Sequence, residues 1–306
     1  MNHEPVSRRS FFHTSSLVAG APLLPCLLAH SETSDPLKNE ICVFNKPIQH
    51  LNYRDQAEVV AELGFDGIEG TVRKGGHVTP ERVTGDLPKQ IEALKSHGLS
   101  MTIMTTDVNE IESEIHQSVI TTAAQLGIKR FRMGGIKYDP TTPIPAQLES
   151  IKKTFSDLVS FCEPLGIQPL YQNHAGAGRL GAGIWDLYHI LNSLPPGSAG
   201  IAYDIRHATV EGAQSWPTEF DLMRPHFGMV YCKDFHWVPG SRKPQNVPLG
   251  TGMVDYLAFI KRLRKSSYTG PISLHMEYKN HRDPALMKES IEAIRSDKKT
   301  LDKLLK

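Results

Sequence analysis

The chain has 306 residues, 40% of them hydrophobic and 22% charged, with a formal net charge of +1. That is an ordinary globular composition, long enough for one large domain or two small ones. Near-neutral charge gives no electrostatic reason to expect nucleic acid or an anionic membrane surface as a partner, and the 21 prolines and 24 glycines are spread along the chain rather than gathered into a linker.

The first segment stands apart. Ser7-Arg8-Arg9-Ser10-Phe11-Phe12 resembles a twin-arginine export motif; a modest apolar stretch follows over residues 17–28, then the polar His30-Ser31-Glu32-Thr33-Ser34. This is the order of a signal peptide, and its apolar part is too short for a stable membrane span. Residues 1–33 are therefore expected to be a twin-arginine signal peptide and linker, residues 34–306 the folded domain, and the mature protein periplasmic or otherwise exported. Three cysteines remain after that removal, Cys42, Cys162 and Cys232. Their number is odd and no CxxC occurs, which argues against a disulfide framework and a thiolate zinc site. Each lies in an apolar run and reads as a buried thiol.

The remainder alternates strand and helix. Residues 41–44 (ICVF) read as the first strand, and residues 56–63 as a helix that Gly64 can end. Residues 65–69 (FDGIE) are the second strand; a helix within 80–97 ends at Gly98; residues 99–105 (LSMTIMT) are the third strand. A long helix is expected over 108–126, a fourth strand over 129–133, and a helix over 145–165 with Ile151, Phe155, Leu158, Val159 and Cys162 on one face. A glycine-rich loop, residues 175–183, leads from the fifth strand to a helix at 185–194. Further helices are expected around 257–263 and from 284 to the charged tail.

In this second half four strings share one shape. Residues 167–174 (IQPLYQNH), 201–207 (IAYDIRH), 229–236 (MVYCKDFH) and 272–278 (ISLHMEY) each run apolar and end in metal-capable polar residues, and they recur roughly every 30 to 40 residues. Apolar strands that deliver chemistry at their C-terminal ends are the pattern of a parallel barrel with its site at one mouth. Eight such units predict a (β/α)8 TIM barrel. The competing architecture is an open doubly wound sheet, but no glycine fingerprint follows the first strand.

Residues two apart on a strand share a face, so Gln172 goes with His174, Tyr231 with Lys233, and His275 with Glu277. Asp204 ends the sixth strand, and His207 is expected in the loop after it. Gln172, Asp204 and His275 are the candidate ligands of a divalent metal, Mn, Mg, Co or Zn. Glu69 is placed to line the mouth from the second strand, and His77 lies in a loop able to cover it.

Several segments, taken in order, resemble the sugar phosphate isomerase/epimerase family, the xylose isomerase-like TIM barrels that also include endonuclease IV. They are Gly64-Phe65-Asp66-Gly67-Ile68-Glu69, Asp204-Ile205-Arg206-His207, Lys233-Asp234, Leu249-Gly250-Thr251-Gly252 and Gly270-Pro271-Ile272-Ser273, with residues 71–87 similar to an exported subgroup. The resemblance covers nearly all of the mature region. It implies a metal held by Glu, Asp, His and Glu on strands five to eight, the glutamates also moving protons next to a carbonyl. Carried over position by position, Asp204 is kept, while Gln172, Tyr231 and His275 stand where Glu, His and Glu are expected. His207 matches the family's histidine near the aspartate, a substrate-side group.

The substitutions matter chemically. A neutral Gln172 cannot act as a base, so the two-glutamate mechanism does not transfer. The base is expected among His275, Glu277 and His174, with Lys233 steadying an enolate oxygen; His207, His174, Glu69 and Tyr231 are the expected substrate contacts. The leading reading is an exported sugar isomerase or epimerase acting next to the carbonyl of a keto-sugar, its partner a free sugar or glycoside. The alternatives are a lyase or hydrolase of oxidised glycosides working by β-elimination, and a barrel that binds sugar without turning it over. A nuclease would need many more His and Glu ligands and a basic surface.

Overall fold

The computed structural model describes residues 37–306, so the expected export signal lies outside the described residues. In chain order the strands are β1 (Ile41–Phe44), β2 (Gly67–Val72), β3 (Ser100–Thr106), β4 (Arg130–Arg132), β5 (Gln168–Gln172), β6 (Gly200–Asp204), β7 (Phe227–Cys232), β8 (Asp234–Trp237), β9 (Pro244–Val247) and β10 (Ile272–Leu274). Eight of them pair in parallel in the closed order β1-β10-β7-β6-β5-β4-β3-β2. Closure is made by β1, which pairs Val43 with Ile68 of β2 on one side and with Leu274 of β10 on the other. The (β/α)8 barrel expected from the sequence is the observed fold.

Most of the barrel strands are buried on both faces, which is why they read as apolar runs; β4, with Arg130 and Arg132 part-exposed, is the exception. One set of side chains, including Cys42, Ile103, Leu170, Ala202, Met229 and Tyr231, forms an apolar cluster of its own and fills the barrel interior. The alternate set, including Val43, Ile68, Met104, Phe131, Tyr203 and Val230, packs outward against the helices. Cys42, Cys162 and Cys232 are free thiols and buried, as their apolar settings predict.

The helices are α1 (Tyr53–Glu62), α2 (Val83–Lys95), α3 (Glu114–Gln125), α4 (Ile144–Cys162), α5 (Trp185–Leu191), α6 (Ile205–Gly212), α7 (Trp216–Met223), α8 (Tyr256–Lys265) and α9 (Met287–Leu305). Several begin at side-chain caps: Asn52 accepts from the Asp55 N–H, Ser113 from His116, and Asp255 from Ala258. No helix among the described residues is long and apolar enough to cross a membrane.

Three expectations change. The helix expected over 108–126 begins only at its Ser113 cap, so residues 107–113 are left as a loop over the mouth side. His207 is not in a loop: Asp204 itself caps α6, accepting from the His207 N–H at 3.1 Å, and the helix starts at the next residue. The fourth polar-ended string is not one strand. β7 stops at Cys232, and Asp234–Trp237 turns away into an antiparallel pair with Pro244–Val247.

Candidate functional site

The C-terminal ends of the barrel strands carry a layer of charged groups directly above the apolar interior. Its floor is Glu69, at the middle of β2 and fully buried. The Glu69 carboxylate accepts from Thr105 Oγ1 at 2.5 Å and Ser273 Oγ at 2.8 Å, and meets His275 Nε2 at 2.7 Å. Burial alone would raise the Glu69 carboxyl; the adjacent His275, Arg132 and the Thr105 hydroxyl override it and hold it at about 2. Burial likewise pushes the His275 imidazole down, but Glu69 and Glu277 carry it above its ordinary value. The two form a buried carboxylate–imidazolium pair, with the His275 ring between Phe44 (4.6 Å) and Tyr231 (4.3 Å).

Above this pair lies a second cation. Lys233 Nζ is 3.0 Å from Asp204 Oδ2 and 3.0 Å from Glu277 Oε2. Burial would strip its proton; the two carboxylates outweigh burial and raise the amine, so it stays an ammonium. Lys46 reaches the other Glu277 oxygen at 3.3 Å. Burial raises Glu277 while Lys233, His275 and Lys46 pull it well below the usual carboxylate range. Glu69, Asp204 and Glu277 are thus matched by His275, Lys233 and Lys46.

Two further histidines flank Asp204. Arg206 Nη1 donates to His207 Nδ1 at 2.9 Å, which puts the His207 proton on Nε2, 3.6 Å from Asp204 Oδ2. Burial, then Lys233, pushes His207 well below its ordinary value, so it is neutral. Its ring lies 4.0 Å from that of His174. His174 Nδ1 sits 2.8 Å from the Ala175 carbonyl, which can only accept, so Nδ1 carries the proton and the Nε2 lone pair is left open. Burial and Lys233 bring His174 down to about 4.

A cavity of about 240 Å³ opens over this layer. Of the residues expected from the sequence, Gln172, His174, Lys233 and Glu277 line it. Glu69, Tyr231, Asp204, His207 and His275 lie buried outside its lining. His77 is held back against α1 and α2, its ring 4.7 Å from Tyr53 and its Nδ1 3.1 Å from Gln90 Nε2. Sequence reasoning missed Lys46, Arg73, Arg132 and Arg179, which also line the cavity. A usable signal existed: Lys46, Arg73 and Arg132 each sit at or within two residues of a strand's C-terminal end.

The expected metal ligands do not fit a metal. The Gln172 amide nitrogen donates to Asp204 Oδ2 at 2.7 Å, and its oxygen is turned to Arg132 Nη1 at 2.6 Å. Asp204 is already neutralised by Lys233, and His275 faces Glu69. Among the described residues no group of three His, Cys, Asp or Glu side chains is arranged to hold a metal ion. A protonated amine and a neutral amide here oppose a divalent cation rather than ligate it.

Asp234 belongs to the scaffold of the site. Its carboxylate accepts the N–H groups of Phe235, Gly250, Gly252 and Val254 at 2.8–3.1 Å, pinning the 248–254 loop beside β8. A Cβ on Gly252 would lie 2.3 Å from Asp234 Oδ1, so only glycine lets the loop come this close. The two sequence segments Lys233-Asp234 and Leu249-Gly250-Thr251-Gly252 are halves of one contact.

Solved structures share this architecture at low identity. A 3-keto-D-glucoside 4-epimerase from E. coli, YcjR, matches with a TM-score of 0.62 and 16% identity over 84% of this chain and 99% of its own. The probable 3-DHS dehydratase AsbF of petrobactin synthesis in Bacillus anthracis gives 0.66 and 14%, over 86% and 98%. The IOLI protein, solved with a bound zinc atom, gives 0.70 and 17%, over 87% and 98%. No curated protein sequence is similar enough to count as a relative. The model of the xylose isomerase-like TIM barrel family matches residues 57–297, and the chain belongs to that family.

Proposed function

We propose that this chain is a sugar-active enzyme that moves a proton next to the carbonyl of a keto-sugar. The observation that carries the reading is the pairing, on one cavity, of a neutral imidazole whose tautomer is fixed and an ammonium kept charged by two carboxylates. His174 Nε2 takes the proton from the carbon beside the carbonyl. The C–H electron pair moves onto the carbonyl oxygen, and Lys233 donates a hydrogen bond to the enolate that results. Two of the three Lys233 N–H groups face carboxylates, which leaves one for the ligand. Negative charge developing on the enolate offsets the nearby ammonium and strengthens His174 as a base at the moment it is needed. Isomerisation follows when the hydroxyl proton on the reacting carbon passes to the enolate oxygen and His174 returns its proton to the former carbonyl carbon, so that the carbonyl re-forms on the reacting carbon. Glu277 and Asp204 hold Lys233; Glu69 and His275 form the rigid floor. No step runs through a metal.

A second outcome of the same first step is favoured by the cavity's having one neutral base rather than two. The enolate electrons then expel an alkoxide from the β-carbon, giving β-elimination of a keto-glycoside, the lyase reading. Twin-arginine export remains part of the proposal, and secretion of a reporter fused after residue 33, lost when Arg8 and Arg9 become Lys, tests it.

The enzyme reading is tested by incubating keto-sugars and keto-glycosides with the protein in D2O. Deuterium is expected at the carbon next to the carbonyl, and His174→Gln should slow its appearance by about 10²–10⁴-fold. Product analysis separates isomer from eliminated aglycone. Absence of exchange across the panel, or undiminished exchange in His174→Gln, overturns the proposal and leaves a binding barrel.

A further inference from the structure

The inner layer of this mouth balances its own charge, but the cavity above it does not. Arg73, Arg132 and Arg179 all line the cavity, and among the described residues none has a carboxylate within 4.0 Å. Arg132 bonds a neutral partner, the Gln172 amide oxygen. Arg73 and Arg132 each lie 5.8 Å from the centroid of one ring, Phe44, so two guanidiniums gather at a single aromatic ring. The one other carboxylate on the cavity, Asp107, accepts the Lys74 N–H and stays beyond ion-pair distance of Arg73. A neighbouring recess shares Lys46, Arg73 and Asp107 with the cavity and adds Lys74 and Arg282.

Like charges gathered in a cleft cost free energy unless something neutralises them. Guanidinium forks match oxyanions with two coplanar oxygens better than they match neutral hydroxyls. We infer that the substrate carries an anionic group, a carboxylate or a phosphate, which Arg73 and Arg132 bind over Phe44 while the carbonyl end reaches Lys233 and His174. The anion rests at the arginines, and the reacting carbon lies at Lys233 and His174. This inference rests on reading the mouth as the active site, and it restricts the substrates to sugar acids or sugar phosphates.

The test is equilibrium binding, which needs no turnover. Calorimetric titration of the full chain with D-glucuronate, D-glucose 6-phosphate and D-glucose is expected to show at least one anion binding about tenfold or more tightly than D-glucose. Arg73→Gln should remove most of that preference and leave the thermal midpoint close to that of the parent. The stronger of the two anions identifies the group as carboxylate or phosphate. D-Glucose binding as tightly as both anions, failure of both anions to bind, or an anion preference that survives in Arg73→Gln and in Arg132→Gln overturns the inference. Exchange on neutral keto-sugars with no anion preference would keep the proposed chemistry and remove this inference; anion binding without any exchange would do the reverse.

Discussion

Lys233 shows how one residue changes the chemistry available to a conserved-looking architecture. Its ammonium lies between Asp204 and Glu277, and Gln172 adds a neutral amide to the same aspartate. The protein should therefore hold only substoichiometric divalent metal when purified from medium supplemented with Mn²⁺ and Zn²⁺, and chelator treatment should leave deuterium exchange intact. Elemental analysis showing a full equivalent of tightly held metal would mean that Lys233 moves aside. The departure from the ligand set that the resemblance implies is legible in the sequence, because Gln172, Tyr231 and His275 stand where Glu, His and Glu are expected. What was not legible is the partnership of His275 with Glu69, which lies 206 positions away and on a different strand. A strand-end histidine looks alike whether its neighbour is a metal, a ligand or a buried carboxylate. That partnership makes its own prediction. His275→Gln leaves the Glu69 charge buried without its cation and should cost about 3–5 kcal/mol in urea unfolding. Adding Glu69→Gln should recover a large part of the loss, and a strictly additive double variant would show that the two groups are uncoupled.

At the scale of elements, apolar runs located most of the barrel strands because a parallel strand buried on both faces needs no alternation, while β4, Arg-Phe-Arg, was placed by its position between two helices. The misjudged boundaries all have local causes. Asp204 serves at once as the end of β6 and the cap of α6, so there is no loop between them for His207 to occupy. The β8–β9 pair was hidden because Asp234-Phe235-His236 reads as the polar end of β7, whereas its real task is to hold the 248–254 loop through Asp234. A carboxylate accepting four backbone N–H groups leaves all four unpaired when it is removed. Asp234→Ala is expected to destabilise by roughly 2–4 kcal/mol and to speed hydrogen exchange of the Gly250, Gly252 and Val254 amides. Gly252→Ala should do the same through its clash with Asp234. Unchanged exchange at those amides in both variants would show that the loop is held by something else.

For the whole molecule, the stability of the barrel against pH follows from which buried groups are kept neutral. Burial lowers His77 and His174 to about 4 and, with Lys233, pushes His207 well below its ordinary value. The unfolded chain therefore binds more protons than the folded one between about 4 and the ordinary histidine value near 6.5, and these three groups make stability rise with pH across that span. Two carboxyls act the other way. Burial raises Asp297 to about 6, and burial together with Glu211 raises Glu219 to about 7. The folded chain holds their protons longer, so their contribution is present below the ordinary carboxyl value and is lost as pH climbs to 6 and 7. Three histidines outweigh two carboxyls up to about pH 6.5, and beyond it Glu219 and His275, whose imidazole its carboxylate neighbours raise, are still losing, which places the maximum near pH 6–6.5. Glu219 is the sharpest probe of this balance. It sits on α7 against Gly212, where a Cβ would lie 2.5 Å from its Oε2, and that oxygen has no hydrogen-bond partner among the described residues. An amide fills the same space without a charge to bury. Glu219→Gln should raise the free energy of unfolding at pH 8 by roughly 1–3 kcal/mol and leave it nearly unchanged at pH 4, where the parent carboxyl is protonated in both states. Urea titrations at the two pH values decide it: an equal gain at both would mean a better-packed side chain, and a loss at pH 8 would mean that the ionised Glu219 has a partner.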